Sequence, residues 1–124
     1  MLTAVATLVR PLRLVRYGRT LWRSRQLRRD FSEAKAALGE RMFAQGIDDG
    51  ETGAKITALE GLIRHAESTG VSSQALKAER SQLVLQLAAA ALEDDGPLPG
   101  ADAEYGRARK AQVALQKHEA DPMA

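Results

Sequence analysis

From Leu14 onward the apolar positions fall at Leu14, Tyr17, Leu21, Leu27, Phe31, Ala34, Leu38 and Met42, in steps of mostly three and four. That is the period of one face of an α-helix, and it predicts one long helix over about 12 to 45. Ser24 and Arg28 interrupt the seam. Gly18 and Gly39 each cost about 1 kcal/mol relative to alanine, so a regular coiled coil is not expected. Ahead of it, Leu2, Val5, Val9 and Leu12 share one side of a short amphipathic stretch, and Pro11 either starts the long helix or kinks it. At the other end Gly46 suits the left-handed position just past a helix, with Ile47 placed to contact Met42.

A second helix is predicted over about 50 to 69, opened by a capping box of Asp48 with Glu51 and stopped at Gly70. Its buried stripe is expected to be Ile56, Leu59, Leu62, Ile63 and Ala66. A third follows over 73 to 94, with Ser72 as N-cap and Val71 stapled onto Leu76. So short a connection makes the two helices antiparallel neighbours. The run LVLQLAAAAL, residues 83 to 92, is apolar nearly all round and requires contacts on more than one face. Leu83, Leu87 and Ala90 are assigned to the hairpin core with Ile56, Leu59 and Ile63. Val84, Leu85 and Leu92 form a surplus apolar face for a protein partner or for the first helix.

Two glycines and two prolines within EDDGPLPGAD, residues 93 to 102, read as a linker. The alternation Tyr105, Ala108, Gln112, Leu115 beyond it predicts a loosely docked helix over 102 to 119. The expected fold is all-α, with a long basic N-terminal helix, a central antiparallel helical hairpin and a weak C-terminal helix. Its parts are an arm at 1–29 belonging to a helix that runs to about 45, a hairpin body at 30–94, a linker at 95–101, and a C-terminal helix and tail at 102–124.

Length and composition allow one modest core: 124 residues, 44% apolar, with alanine-rich helices and only one Trp, two Tyr and two Phe. Charge changes the picture more. Residues 1 to 29 carry eight arginines and no acid, while the remainder carries ten basic residues against sixteen acids. A net charge of +2 thus conceals a cationic arm and an anionic body, the pattern of an arm that seeks an anionic surface. The uncharged stretches at 1–9 and 81–92 fall far short of the roughly 20 residues of a membrane span. A secretory leader is not expected either, because the charges follow the apolar stretch instead of preceding it.

No catalytic, cofactor-binding or metal-binding residues are expected. The chain has no cysteine, and His65 and His118 lie on different helices without ligand-spaced neighbours. No serine sits in a nucleophile motif, and the carboxylate pairs Asp48 with Asp49 and Asp94 with Asp95 lie at helix boundaries. An enzyme is not expected, nor a small-molecule substrate.

The arm has three functional readings. On an anionic membrane, Leu2, Val5, Val9 and Leu12 insert shallowly, Tyr17 and Trp22 sit at headgroup level, and Arg10, Arg13, Arg16, Arg19, Arg23, Arg25, Arg28 and Arg29 meet lipid charge at about 1 kcal/mol each. On nucleic acid the same arginines meet phosphate from several sides, with the aromatics free to stack. As an organelle presequence, the acid-free arginine-rich segment would be removed near RRDFSE. The first of these is the expectation: a non-enzymatic accessory or scaffold protein, cytoplasmic and peripheral to the membrane, whose hairpin binds a protein partner or self-associates. Nucleic-acid binding and a cleavable mitochondrial presequence are the alternatives.

Overall fold

The computed structural model describes residues 2–94 and 98–121, with side chains from residue 18 onward. Four helices follow in order: α1 (Leu2–Ala44), α2 (Glu51–Ser68), α3 (Gln74–Glu93) and α4 (Asp102–Ala120). No strand is present among the described residues, and the all-α expectation holds. α1 is one uninterrupted helix of 43 residues, about 64 Å long at 1.5 Å per residue. It begins ten residues before the expected start and passes through Pro11. One proline forfeits a single hydrogen bond, and the alanines, leucines and arginines around it are strong helix formers.

Two helices end in the same way. At the end of α1 the Ile47 N–H donates to the Met42 carbonyl at 2.8 Å and Gly46 N–H to Phe43 at 3.1 Å. At the end of α2 Val71 N–H donates to Ala66 at 2.9 Å. Both are Schellman closures, and each needs the positive φ that Gly46 (71°) and Gly70 (74°) adopt at little cost.

The start of α2 differs from the expected capping box. Asp48 accepts from the Gly50 N–H, so its carboxylate folds back over the turn and lies against Gly53, where any Cβ would collide with it. Asp49 does the capping: its Oδ1 accepts from Thr52 N–H at 2.6 Å and its Oδ2 from the Thr52 hydroxyl at 3.0 Å. Glu51 turns instead to Lys55, 3.3 Å away. The Thr52 backbone N–H, then its hydroxyl, hold the Asp49 carboxyl below its ordinary value of 3.8. A depressed folded-state pKa contributes stability above the unfolded value that is lost as pH falls through the folded one. Asp49→Ala should therefore melt at a lower temperature than wild type at neutral pH. The gap should close well below pH 3.8, once Asp49 is protonated in both states.

α3 lies at the centre, packed by α1 on one side and by α2 on another, while α4 lies chiefly along α1. The ion pairs Lys77 to Glu67 (2.9 Å) and Arg80 to Glu60 (3.7 Å) show α2 and α3 running antiparallel, as expected of the hairpin. Ile56, Leu59, Ile63 and Ala66 are buried, but Leu62 is 54% exposed. It is one position off the stripe, and among the described residues α2 packs chiefly on α3. Val71 is 63% exposed and makes no staple. Ser73, not Ser72, holds the N-cap position of α3, buried and without a side-chain capping bond.

The apolar run of α3 divides differently from the expectation. Val84 and Leu92, assigned to a surplus face for a partner or for the first helix, are 2% and 5% exposed in one cluster with Ala34, Leu38 and Met42 of α1. The first helix is what covers them. Leu85 is half-buried, whereas Ala90, assigned to the core, is exposed. The run needs no all-round cover because its exposed positions are Gln86 and Ala90.

Contact with α1 is close where Gly39 meets α3. A Cβ at Gly39 would overlap the Val84 carbonyl oxygen and stand 2.6 Å from Val84 Cγ1. Across this joint Arg80 donates to both oxygens of Glu40, reaches Glu60, and stacks 5.8 Å from the Phe43 ring, tying three helices together. The Glu40 hydrogen bonds raise the Arg80 pKa above its ordinary value, against the effect of burial.

α4 is docked, not loose. Ala101 and Ala108 are 1% and 0% exposed, and Ala111 packs against the same core. Small side chains give this helix a weak apolar signal yet let it lie close against α1. The preceding connection is anchored as well: the Tyr105 hydroxyl (2.6 Å) and Arg109 Nη2 (2.9 Å) donate to the Asp94 carbonyl, and Arg41 Nε donates to the Gly100 carbonyl at 3.0 Å. Residues 95–97 of the expected linker lie outside the described residues.

Candidate anionic-surface interface

α4 runs antiparallel to α1. Its start, at Gly100, meets Arg41, and its last turn, at His118, meets Ser24. The side of α1 that faces it carries Ser24, Leu27, Phe31, Ala34 and Leu38, at helical spacing. Ser24, which interrupted the apolar seam, accounts for its place there: its hydroxyl lies 2.8 Å from Nε2 of His118, a side chain only 9% exposed. Leaving either group buried and unpaired would cost about 1–3 kcal/mol. His118 is therefore an interior residue, while His65 is exposed. The pair ties the last turn of α4 to α1.

Directly opposite the packed side lies a different stripe. Arg19, Trp22, Arg25, Gln26 and Arg29 stand three, four and seven residues apart and so share one face. Arg19, Trp22, Arg25 and Arg29 are exposed, Trp22 at 66%. Arg23 and Arg28, also exposed, flank the stripe on either side. A large aromatic left in water among cations is the unusual feature here, since tryptophan is highly buried on average. Leu21, 40% exposed, adds apolar area beside it.

These arginines are not spent on the body's own acids. Among the described residues the ion pairs join Lys55 to Glu51, Lys77 to Glu67, and Arg80 to Glu40 and Glu60. None draws on an arginine between 19 and 29. Asp30, the nearest acid in sequence, accepts instead from Gln26 Nε2 at 3.2 Å. The side chains of Leu2, Val5, Val9, Arg10, Leu12, Arg13, Arg16 and Tyr17, assigned to the same interface, lie outside those described.

A groove elsewhere in the molecule was not foreseen. Asp48, Asp49 and Asp94, assigned from sequence to separate helix boundaries, line one groove of about 530 Å³ with Met42, Ile47, Leu87, Ala91 and Leu98. Folding the ends of α1 and α3 beside the start of α2 brings them together. No group of three or more histidine, aspartate or glutamate side chains among the described residues is arranged to hold a metal ion. No helix among the described residues is long and apolar enough to cross a membrane. Compared with protein-family models, with curated proteins and with solved structures, the chain matches none of them.

Proposed function

We propose that the protein is a non-enzymatic accessory protein that attaches peripherally to an anionic membrane surface through the N-terminal half of α1. The observation that carries this reading is Trp22, two-thirds exposed in a line of arginines that have no acidic partner among the described residues, on the helix face turned away from the body. Tryptophan is favoured at the depth of lipid headgroups, where its ring is half in hydrocarbon and its N–H is wet. Arginines on either side of it meet anionic headgroups at about 1 kcal/mol each. Both terms act from the same helix face.

Trp22 is the one tryptophan of the chain, so its fluorescence reports on the arm directly. Vesicles containing phosphatidylserine should blue-shift its emission and sediment the protein, less so as salt rises, whereas neutral phosphatidylcholine vesicles should do neither. Changing Leu2, Val5 and Val9 together to serine should abolish sedimentation. Retention on RNA or DNA that survives this triple change, without vesicle binding, would replace this reading with nucleic-acid binding.

A further inference from the structure

Arg25 and Arg29 stand one helical turn apart and, with Trp22 and Gln26, line a single shallow cleft of about 180 Å³. That is below the roughly 300–1,000 Å³ of pockets for organic ligands, and suits a small anion. Like charges four residues apart on a helix repel, and neither arginine has an acidic partner among the described residues. An anion that bridges them removes the repulsion. The arm's basic residues are all arginine and none is lysine, which favours ligands that can take a planar fork of two parallel hydrogen bonds. A phosphate monoester offers three terminal oxygens and up to two negative charges, enough to engage both forks. A phosphodiester offers two oxygens and one charge.

We propose that Arg25 and Arg29, with Trp22 beside them, form a site for a phosphate monoester carried on a membrane lipid. Trp22 supplies the choice between a lipid-borne and a free phosphate, because its ring gains by entering the interface that holds the headgroup. This rests on the membrane reading above and refines it to a lipid class.

The test uses the full chain and vesicles matched in surface potential, one set with phosphatidic acid and the other with phosphatidylserine. Wild type should bind the phosphatidic acid vesicles about tenfold more tightly, the scale of one extra charge-assisted hydrogen-bonded pair. The charge-preserving change R25K/R29K should erase that preference by weakening phosphatidic acid binding to the level of phosphatidylserine, while R64K/R107K, at exposed positions of α2 and α4 away from the arm, should keep it. Equal binding to the two lipids, or a preference that survives R25K/R29K, overturns the monoester site and leaves the membrane reading standing. Absence of binding to either vesicle overturns both. A shift of Trp22 emission by inorganic phosphate as large as that caused by phosphatidic acid vesicles overturns the lipid-borne assignment.

Discussion

Leucine at position 39 should leave the chain without a cooperative unfolding transition at room temperature. The α1–α3 joint has no room for even a Cβ, because one placed on Gly39 would run into the backbone carbonyl of Val84, in the middle of α3. A flexible side chain could swing aside, but two helix backbones can yield only by moving apart. Moving them apart opens the contacts of Leu38 and Val84, which are 0% and 2% exposed. Overpacking of this kind costs about 1–3 kcal/mol for small insertions and more for a whole side chain, against a total stability of about 5–15 kcal/mol. Alanine at 39 is the graded version: its better helix propensity returns up to about 1 kcal/mol, and the net effect should still be a lower melting temperature. Gly61→Ala supplies the control with the opposite sign. A Cβ at Gly61 meets nothing within 4 Å, so that change should stabilise α2 by about 0.5–1 kcal/mol. Thermal melts of the three variants beside wild type decide the matter, and a Gly39→Ala protein as stable as wild type would show that the joint has room to spare.

The second large effect concerns where the arm ends. Deleting residues 2–29 should lower stability by about 1–3 kcal/mol beyond deleting residues 2–17, the sum of two losses. The longer cut removes Ser24 and with it the hydrogen bond that holds His118 and the last turn of α4 against α1, at about 0.5–1.5 kcal/mol. It also removes Leu27, half-buried at the α1–α4 contact, whose full burial would be worth about 1.5–3 kcal/mol. Urea denaturation measures the difference, and hydrogen exchange should show the last two turns of α4 unprotected only after the longer cut. The boundary at residue 29, drawn from charge alone, is therefore too late for packing: between residues 18 and 29 one helix carries body contacts on one side and arginines on the other.

That division accounts for which parts of the fold the residue pattern made legible. Gly46 and Gly70 could be read because a left-handed closure places a recognisable residue at a fixed offset from the end of a helix. Leu38, Met42, Ile56 and Ile63 could be read because large aliphatics at helical spacing mark the buried side of a helix. Ser24 and Gly39 counted against a regular seam for a reason that lies across the interface: one is paired with His118, 94 residues away, the other is matched to the backbone of α3. Neither partner shows in a local window. The close docking of α4 was hidden similarly, since Ala101, Ala108 and Ala111 supply proximity with little hydrophobicity. Arg80 is the clearest miss. Nothing in its neighbourhood along the chain announces Glu40, Glu60 and Phe43. Of the candidate interface, the arginines and Trp22 could be named from sequence, but only the packing of the opposite side shows which way they face.

Because α1 does not break between its two halves, it carries its charge along a single rod. The face that bears Arg19, Trp22, Arg25 and Arg29 continues, turn by turn, to the exposed Glu33 and Glu40. A plane of negative charge would pull the arginine end of that rod and leave the other, where Arg80 already offsets Glu40, so the molecule should settle as a tilted lever. Its arginine end would touch down while the far end, with the rest of the bundle attached, is held aloft.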